Sequence, residues 1–239
     1  MHRTAKEKII VALDVPNLAS AVSLVDDLGE TITWVKVGLQ LFTAEGPPVV
    51  HAMRTRGLKV FLDLKFHDIP HTALEAVRSA IALDAGMATI HLSGGSHMVR
   101  SAVEASQNSP LLVLGVTVLT SMDDDQLNEI GVGRTAEEQV LELVALGRRC
   151  GLRGVVCSPL EVAALRSKFG NSLTIVTPGV RPSDASIHDQ RRVMTPADAL
   201  GAGADFLVIG RPITAAASPR AAAARLADEI SESLSRGNS

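Results

Sequence analysis

The stretch FLDLKFHDIPHT, residues 61–72, carries Asp63, Lys65, His67 and Asp68 within six positions. On an extended segment, residues i and i+2 point to the same side. Asp63 and Lys65 therefore face one way, and each favours the charged form of the other. Two further ions interrupt apolar runs in the same manner. Asp14 closes IIVALDV (9–15), and Lys36 sits between two valines in WVKVG (34–38). A lysine inside such a run is costly unless it is paired, and Asp63 and Asp68 are its candidate partners. Lys36 and Lys65 with Asp63 and Asp68 make an alternating array of two ammonium and two carboxylate groups, cheaper to desolvate as a unit than singly. Any one of these residues is best explained as a solvated strand end. That explanation weakens when Asp14, Lys36, Asp63 and Lys65 all interrupt apolar strands at corresponding depths, which points to a reaction site.

The elements that must hold this array are legible as eight short Val/Ile/Leu-rich runs: 9–15, 34–38, 59–66, 87–93, 111–119, 154–158, 174–179 and 206–210. Near-continuous apolar strands of this kind belong to parallel sheets covered on both faces. Helical patterns lie between them. One runs over 17–29. Another starts at a Thr72 N-cap with Glu75 three residues on and stops at Gly86. A third repeats the same scheme from Thr135 and Glu138 to Gly151, and a brief one covers 197–204. The last starts at Ser218-Pro219. Eight β-then-α units in 239 residues predict a single-domain (β/α)8 TIM barrel over residues 1–239. A doubly wound open sheet is the runner-up, and it more often shows a glycine-rich first turn than the LDVPNLAS found here.

In a barrel, the residues after strands seven and eight commonly bind phosphate. Arg181 in TPGVRP, and Gly210 and Arg211 in VIGRP, fall there. Gly210 lets an anion approach the backbone, and Arg211 can contact it through two donors. Arg191 and Arg192 are expected on a solvated loop face, and His67, His91 and His97 as ordinary polar rim residues. The two long connections, 120–135 and 180–196, follow strands five and seven and are expected to be functional or mobile.

The bulk composition narrows the function classes. A net charge of -3 gives no case for nucleic-acid or anionic-membrane binding. No apolar stretch approaches membrane-spanning length, and the first apolar run reads as a strand and not as a leader. Two cysteines, Cys150 and Cys157, imply neither a disulfide framework nor a zinc site. A cytoplasmic enzyme is expected.

Taken together, VALDV, VKVG, DLKFHDIPHT, VTVLTS, TPGVRP, DQRRVMTP and VIGRPI resemble, in order and spacing, the orotidine 5'-phosphate decarboxylase family, and its bacterial branch in particular. The D-x-K-x-x-D core alone is shared with a wider group of barrels. The resemblance implies removal of CO2 from a nucleotide, orotidine 5'-phosphate, to give UMP, with no cofactor and no metal. It implies that Lys65 is the general acid, that Asp63 lies beside the substrate carboxylate, and that Asp14 and Lys36 hold the ribose hydroxyls and the charge array. Thr120 would contact the pyrimidine. Arg181, Gln190, Gly210 and Arg211 would bind the phosphate region under a lid formed by the loop after strand seven. Asp68 and Thr72 would reach into the site of a neighbouring subunit, so that a homodimer shares its active sites. His71 stands where the family usually has Asn, which bears on a local contact only.

Three other readings follow from the same residues. A magnesium-dependent sugar-phosphate decarboxylase or aldolase needs an acidic ligand near the end of strand two, where this chain has Lys36. A Schiff-base aldolase prefers a lysine of lowered pKa, whereas Asp63 and Asp68 flank Lys65. A non-catalytic phosphate-binding barrel leaves the charge array without a purpose.

Overall fold

The computed structural model describes residues 4–181 and 194–236. Eight parallel strands close into a barrel in sequence order: β1 Ile9–Ala12, β2 Trp34–Gly38, β3 Lys59–Phe66, β4 Met87–His91, β5 Leu112–Val116, β6 Gly154–Val156, β7 Thr174–Pro178 and β8 Phe206–Ile209. β8 pairs back onto β1 through Val208 opposite Ile10. The barrel expected from the eight apolar runs is the one found.

Alternation along each strand sorts the core into two parts. Outward residues such as Val11, Val35, Val60, Ala88, Ile175 and Leu207 join the main core under the surrounding helices. Inward residues Ile10, Trp34, Phe61, Met87, Leu114 and Phe206 fill the barrel itself, with Trp34 and Phe206 edge to face at a centroid distance of 5.8 Å. Going up the inside, chemistry changes with height. Trp34 is followed by Lys36, Phe61 by Asp63 and Lys65, and Met87 by Thr89 and His91. The lower barrel is an apolar plug, and the C-terminal mouth is ionised.

The helices explain where local signals hold and where they fail. Thr135 and Glu138 form the expected capping box at the head of helix Ala136–Arg149. Asn17 caps Leu18–Leu28, and the Ser218 hydroxyl accepts from the Ala221 N–H at the head of Pro219–Arg236. Thr72, however, is not a cap. Helix Pro70–Ala82 starts two residues earlier, and Glu75 accepts from Arg78 instead of closing a box. Pro70, with its φ already helical and no N–H to leave unpaired, sets the start. Nor does Gly86 end that helix. The chain turns at Asp84, with φ 56°, and Gly86 is required because a Cβ there would lie 2.7 Å from the Trp34 ring.

The long connection after β5 contains helix Asp124–Glu129, tied to the next helix by Asp124 accepting from the Ala136 N–H at 2.8 Å. The connection after β7 leaves and returns at one point, where Val180 bridges Met194 and the Arg181 N–H donates to the Met194 carbonyl at 3.0 Å. Residues 182–193, and with them Gln190, Arg191 and Arg192, lie outside the described residues. Cys150 and Cys157 are both buried thiols.

Candidate active site

At the mouth of the barrel four charged side chains form a ladder. The Lys36 ammonium lies 3.0 Å from Asp14 Oδ1 and 3.9 Å from Asp63 Oδ2. The Lys65 ammonium lies 2.9 Å from Asp63 Oδ1 and 3.0 Å from Oδ2. The order is Asp14, Lys36, Asp63, Lys65, with the signs alternating. Exposure falls from 61% for the Asp14 side chain to 11% for Lys36 and 13% for Asp63. The inner pair would be expensive to bury alone, and each of its members instead has a counter-ion on both sides.

Asp68 is not in this ladder. It is exposed, and its carboxylate accepts from the adjacent Ile69 N–H at 2.7 Å. Lys36 therefore pairs with Asp14 and Asp63, and the expectation that Asp68 of the same chain is its partner is not met. Proline at position 70 starts the next helix immediately, which turns Asp68, Ile69, His71 and Thr72 outward.

Two adjoining hollows meet at Lys36, Pro178 and Val208. One, about 160 Å³, is largely apolar, with Phe61, Val118 and Thr120 in its wall and Lys36, Asp63 and Lys65 at its edge. The other, about 180 Å³, is polar and is lined by Asp14, Gly179, Arg181, Gly210 and Arg211. A Cβ on Gly210 would lie 3.6 Å from the Ala12 Cβ and 3.9 Å from Asp14 Oδ2, ordinary contacts. No side chain of the described residues fills the space above Gly210, and that space belongs to the cleft. Arg181 is buried and Arg211 exposed, so one guanidinium forms the wall of this hollow and the other its rim. Larger hollows at the opposite end, about 410 and 550 Å³, are lined by residues such as Trp34 and Lys59 or Asp26 and Arg56, with neither Lys36 nor Lys65 among them.

Three residues beside the ladder carry no sequence expectation of such a role. Gly38 ends β2, and a Cβ there would come within 2.7 Å of the Lys36 ammonium. The buried Thr89 hydroxyl donates to Asp63 Oδ1 at 3.1 Å and accepts the Lys65 backbone N–H at 2.8 Å. His91, expected only as a rim residue, stacks at 5.2 Å on His67. Burial first, then the neighbouring His67 and Lys65, lowers its pKa below the usual imidazole range, with Asp63 acting in the opposite sense. Both lysines and both acids of the ladder announce themselves because ions in apolar runs are rare. A glycine at a strand end and a threonine inside a strand are common, and only position on the inner face marks them.

Among the described residues, no group of three or more His, Cys, Asp or Glu side chains is placed to hold a metal ion, and no helix is long and apolar enough to cross a membrane.

Comparison with known proteins places these features in context. Residues 7–226 match the family model described as "Orotidine 5'-phosphate decarboxylase / HUMPS family". The chain is 50% identical to the orotidine 5'-phosphate decarboxylase of Moorella thermoacetica over 238 residues, covering 96% of this chain and 94% of that protein. It is 48% identical to the enzyme of that name from Nitrosospira multiformis, covering 94% of each. Among solved structures, it is similar to orotidine 5'-phosphate decarboxylase from Lactobacillus acidophilus, with a TM-score of 0.83 and 37% identity over 94% of this chain and 99% of that one.

Proposed function

Because the chain belongs to the orotidine 5'-phosphate decarboxylase / HUMPS family, it is a carboxy-lyase that converts orotidine 5'-phosphate to UMP and CO2, and we propose that Lys65 is its proton donor. The observation that carries this assignment is the unbroken Asp14–Lys36–Asp63–Lys65 ladder at the edge of an apolar hollow that opens into an arginine-lined one.

The pyrimidine lies in the apolar hollow against Thr120, and the phosphate lies in the polar one at Gly210, Arg211 and Arg181. Asp14 and Lys36 hold the ribose between them. Cleavage of the carbon–carboxylate bond releases CO2 and leaves the electron pair in an in-plane orbital of the ring carbon, where the π system cannot spread it. The protein must then supply the stabilisation. A Lys65 ammonium fixed before the bond breaks lowers the energy of that charge without reorganisation, and transfer of its proton to the carbon completes UMP. The lysine is reprotonated from solvent. Asp63 holds the ammonium and repels the substrate carboxylate; the first role is the larger, because it acts on the charge that develops in the transition state. Binding of the phosphate, remote from the reacting carbon, contributes energy that the transition state can use.

Asp68 and Thr72, exposed on their own chain beside a 67%-exposed Ile69, complete the site of a second copy across a two-fold interface. An isoleucine so open to water beside two polar residues is what a self-complementary contact would cover.

A magnesium-dependent sugar-phosphate reaction fits less well, since a cation held by Asp14 and Asp63 would sit against the Lys36 ammonium. The deciding assay follows CO2 and UMP from orotidine 5'-phosphate with enzyme dialysed against EDTA. Equal yields of the two products, unaltered by added magnesium, are expected. Turnover that EDTA abolishes and magnesium restores would favour the metal-dependent reading. A borohydride-reduced imine at Lys65 would favour the Schiff-base one.

A further inference from the structure

Asp63 and Lys65 reach the same cavity by an irregular route. Between the pairs Leu62↔Ala88 and Phe66↔Ile90, β3 places residues 63–65 opposite Thr89 alone. One surplus residue would turn Lys65 out of the barrel. Two restore the alternation, so that Leu62 and Phe66 stay in the outer core while Asp63 and Lys65 line the cavity. The surplus is taken up at Lys65, whose φ of 53° is left-handed. Side chains rarely adopt that backbone conformation, and they hold it only where the surroundings over-determine it.

Thr89 is what over-determines it. The irregularity takes the Lys65 N–H out of the strand ladder, and a buried N–H needs an acceptor. The fully buried Thr89 hydroxyl accepts it at 2.8 Å and gives its own proton to Asp63 Oδ1 at 3.1 Å. The direction of both bonds is forced. An amide can only donate and an ionised carboxylate can only accept, so the single hydroxyl must do both. Asp63 in turn chelates the Lys65 ammonium. One hydroxyl therefore ties the backbone of Lys65 to the carboxylate that aims its side chain.

We infer that Thr89 is a positioning residue for decarboxylation, holding the left-handed turn at Lys65 and the Asp63 carboxylate in register so that the ammonium points at the reacting carbon. This rests on the assignment of Lys65 as proton donor. Thr89→Val keeps the shape and removes the hydroxyl; Thr89→Ser keeps the hydroxyl. Hydrogen bonds to charged groups of this kind correspond to a loss of kcat on the order of 10- to 100-fold for Thr89→Val, with KM within about threefold of wild type. Thr89→Ser should recover most of the lost kcat. Because the valine variant leaves the Lys65 amide without an acceptor, both variants are assayed well below their melting temperatures. A kcat for Thr89→Val within about threefold of wild type, or a serine variant as impaired as the valine one, would overturn the inference. A wild-type enzyme inert toward orotidine 5'-phosphate would instead sink the functional reading. The crystal structure of Thr89→Val then still decides this point: Lys65 is expected to leave the left-handed region with its ammonium displaced from Asp63, and an unmoved Lys65 would contradict the role assigned to Thr89.

Discussion

The ammonium groups at the mouth are held by contacts that leave no slack. Gly38 shows how little there is: its missing side chain is the space through which Lys36 reaches Asp14. A methyl group at position 38 would push a flexible side-chain end, not backbone, so the fold should tolerate it. Gly38→Ala is expected to change unfolding free energy by less than about 1 kcal/mol. It should nevertheless lower kcat/KM by about 10- to 100-fold, since small displacements of a catalytic group are amplified in rate. Urea denaturation and steady-state kinetics on the same preparation test this, and an unchanged kcat/KM would mean that the Lys36 position is not critical. The sequence makes the charged members of the site readable because each stands in an apolar run. It hides Gly38 and Thr89, whose residue types are ordinary at strand ends and in strands, and whose proposed roles rest on neighbours brought close only by the fold. It also offers Thr72-x-x-Glu75 as a cap, a pattern that Pro70 overrides from two residues upstream.

At the level of elements, the two ends of the barrel divide the work. The C-terminal ends carry the ladder, and the N-terminal ends are tied together for stability. Arg166, on helix Val162–Phe169, is the clearest of these ties. Its guanidinium donates to the Gly203 carbonyl at 2.9 and 2.7 Å, to the Leu173 carbonyl at 2.6 Å and to Asp205 Oδ2 at 2.7 Å, while Asp205 accepts the Ile175 N–H at 2.8 Å. One side chain thus ties its helix to the turns that lead into β7 and β8. Arg166→Met would leave those carbonyls without the guanidinium donor and Asp205 without its cation, at a cost of about 2–4 kcal/mol of stability. With the proposed active site at the far end of the same strands, kcat/KM measured on the folded protein should be unchanged. A stable Arg166→Met protein with impaired catalysis would contradict this division. The strand runs are readable from sequence because burial on both faces removes their polar residues. The paired helices Leu39–Glu45 and Pro47–Arg54 are harder to see, since Gly46 and two prolines interrupt the periodic pattern.

For the molecule as a whole, the ladder within one chain accounts for Asp63 but leaves Asp68 on an exposed turn, where a carboxylate contributes little. The proposed two-fold dimer gives it a use, and subunit mixing tests that directly. Asp68→Ala and Lys65→Ala enzymes are each expected to be inactive. After exchange, half the dimers are mixed and one of their two sites carries neither defect, so activity should return to about a quarter of wild type per total site. A mixture shown to have exchanged subunits but still inactive would place Asp68 at work in its own chain. Residue type and pattern do not reveal such sharing, because a residue facing solvent and one facing a second copy look alike; only the family resemblance implies it. The central claim, though, is that a prefixed Lys65 ammonium stabilises and then protonates the carbanion. The measurement that bears on it most directly is kcat for Lys65→Ala alongside its dissociation constant for UMP. The account predicts a fall in kcat of more than about 10⁴-fold, with UMP affinity within about tenfold of wild type. A Lys65→Ala enzyme that still turns over orotidine 5'-phosphate within about tenfold of the wild-type rate would contradict it.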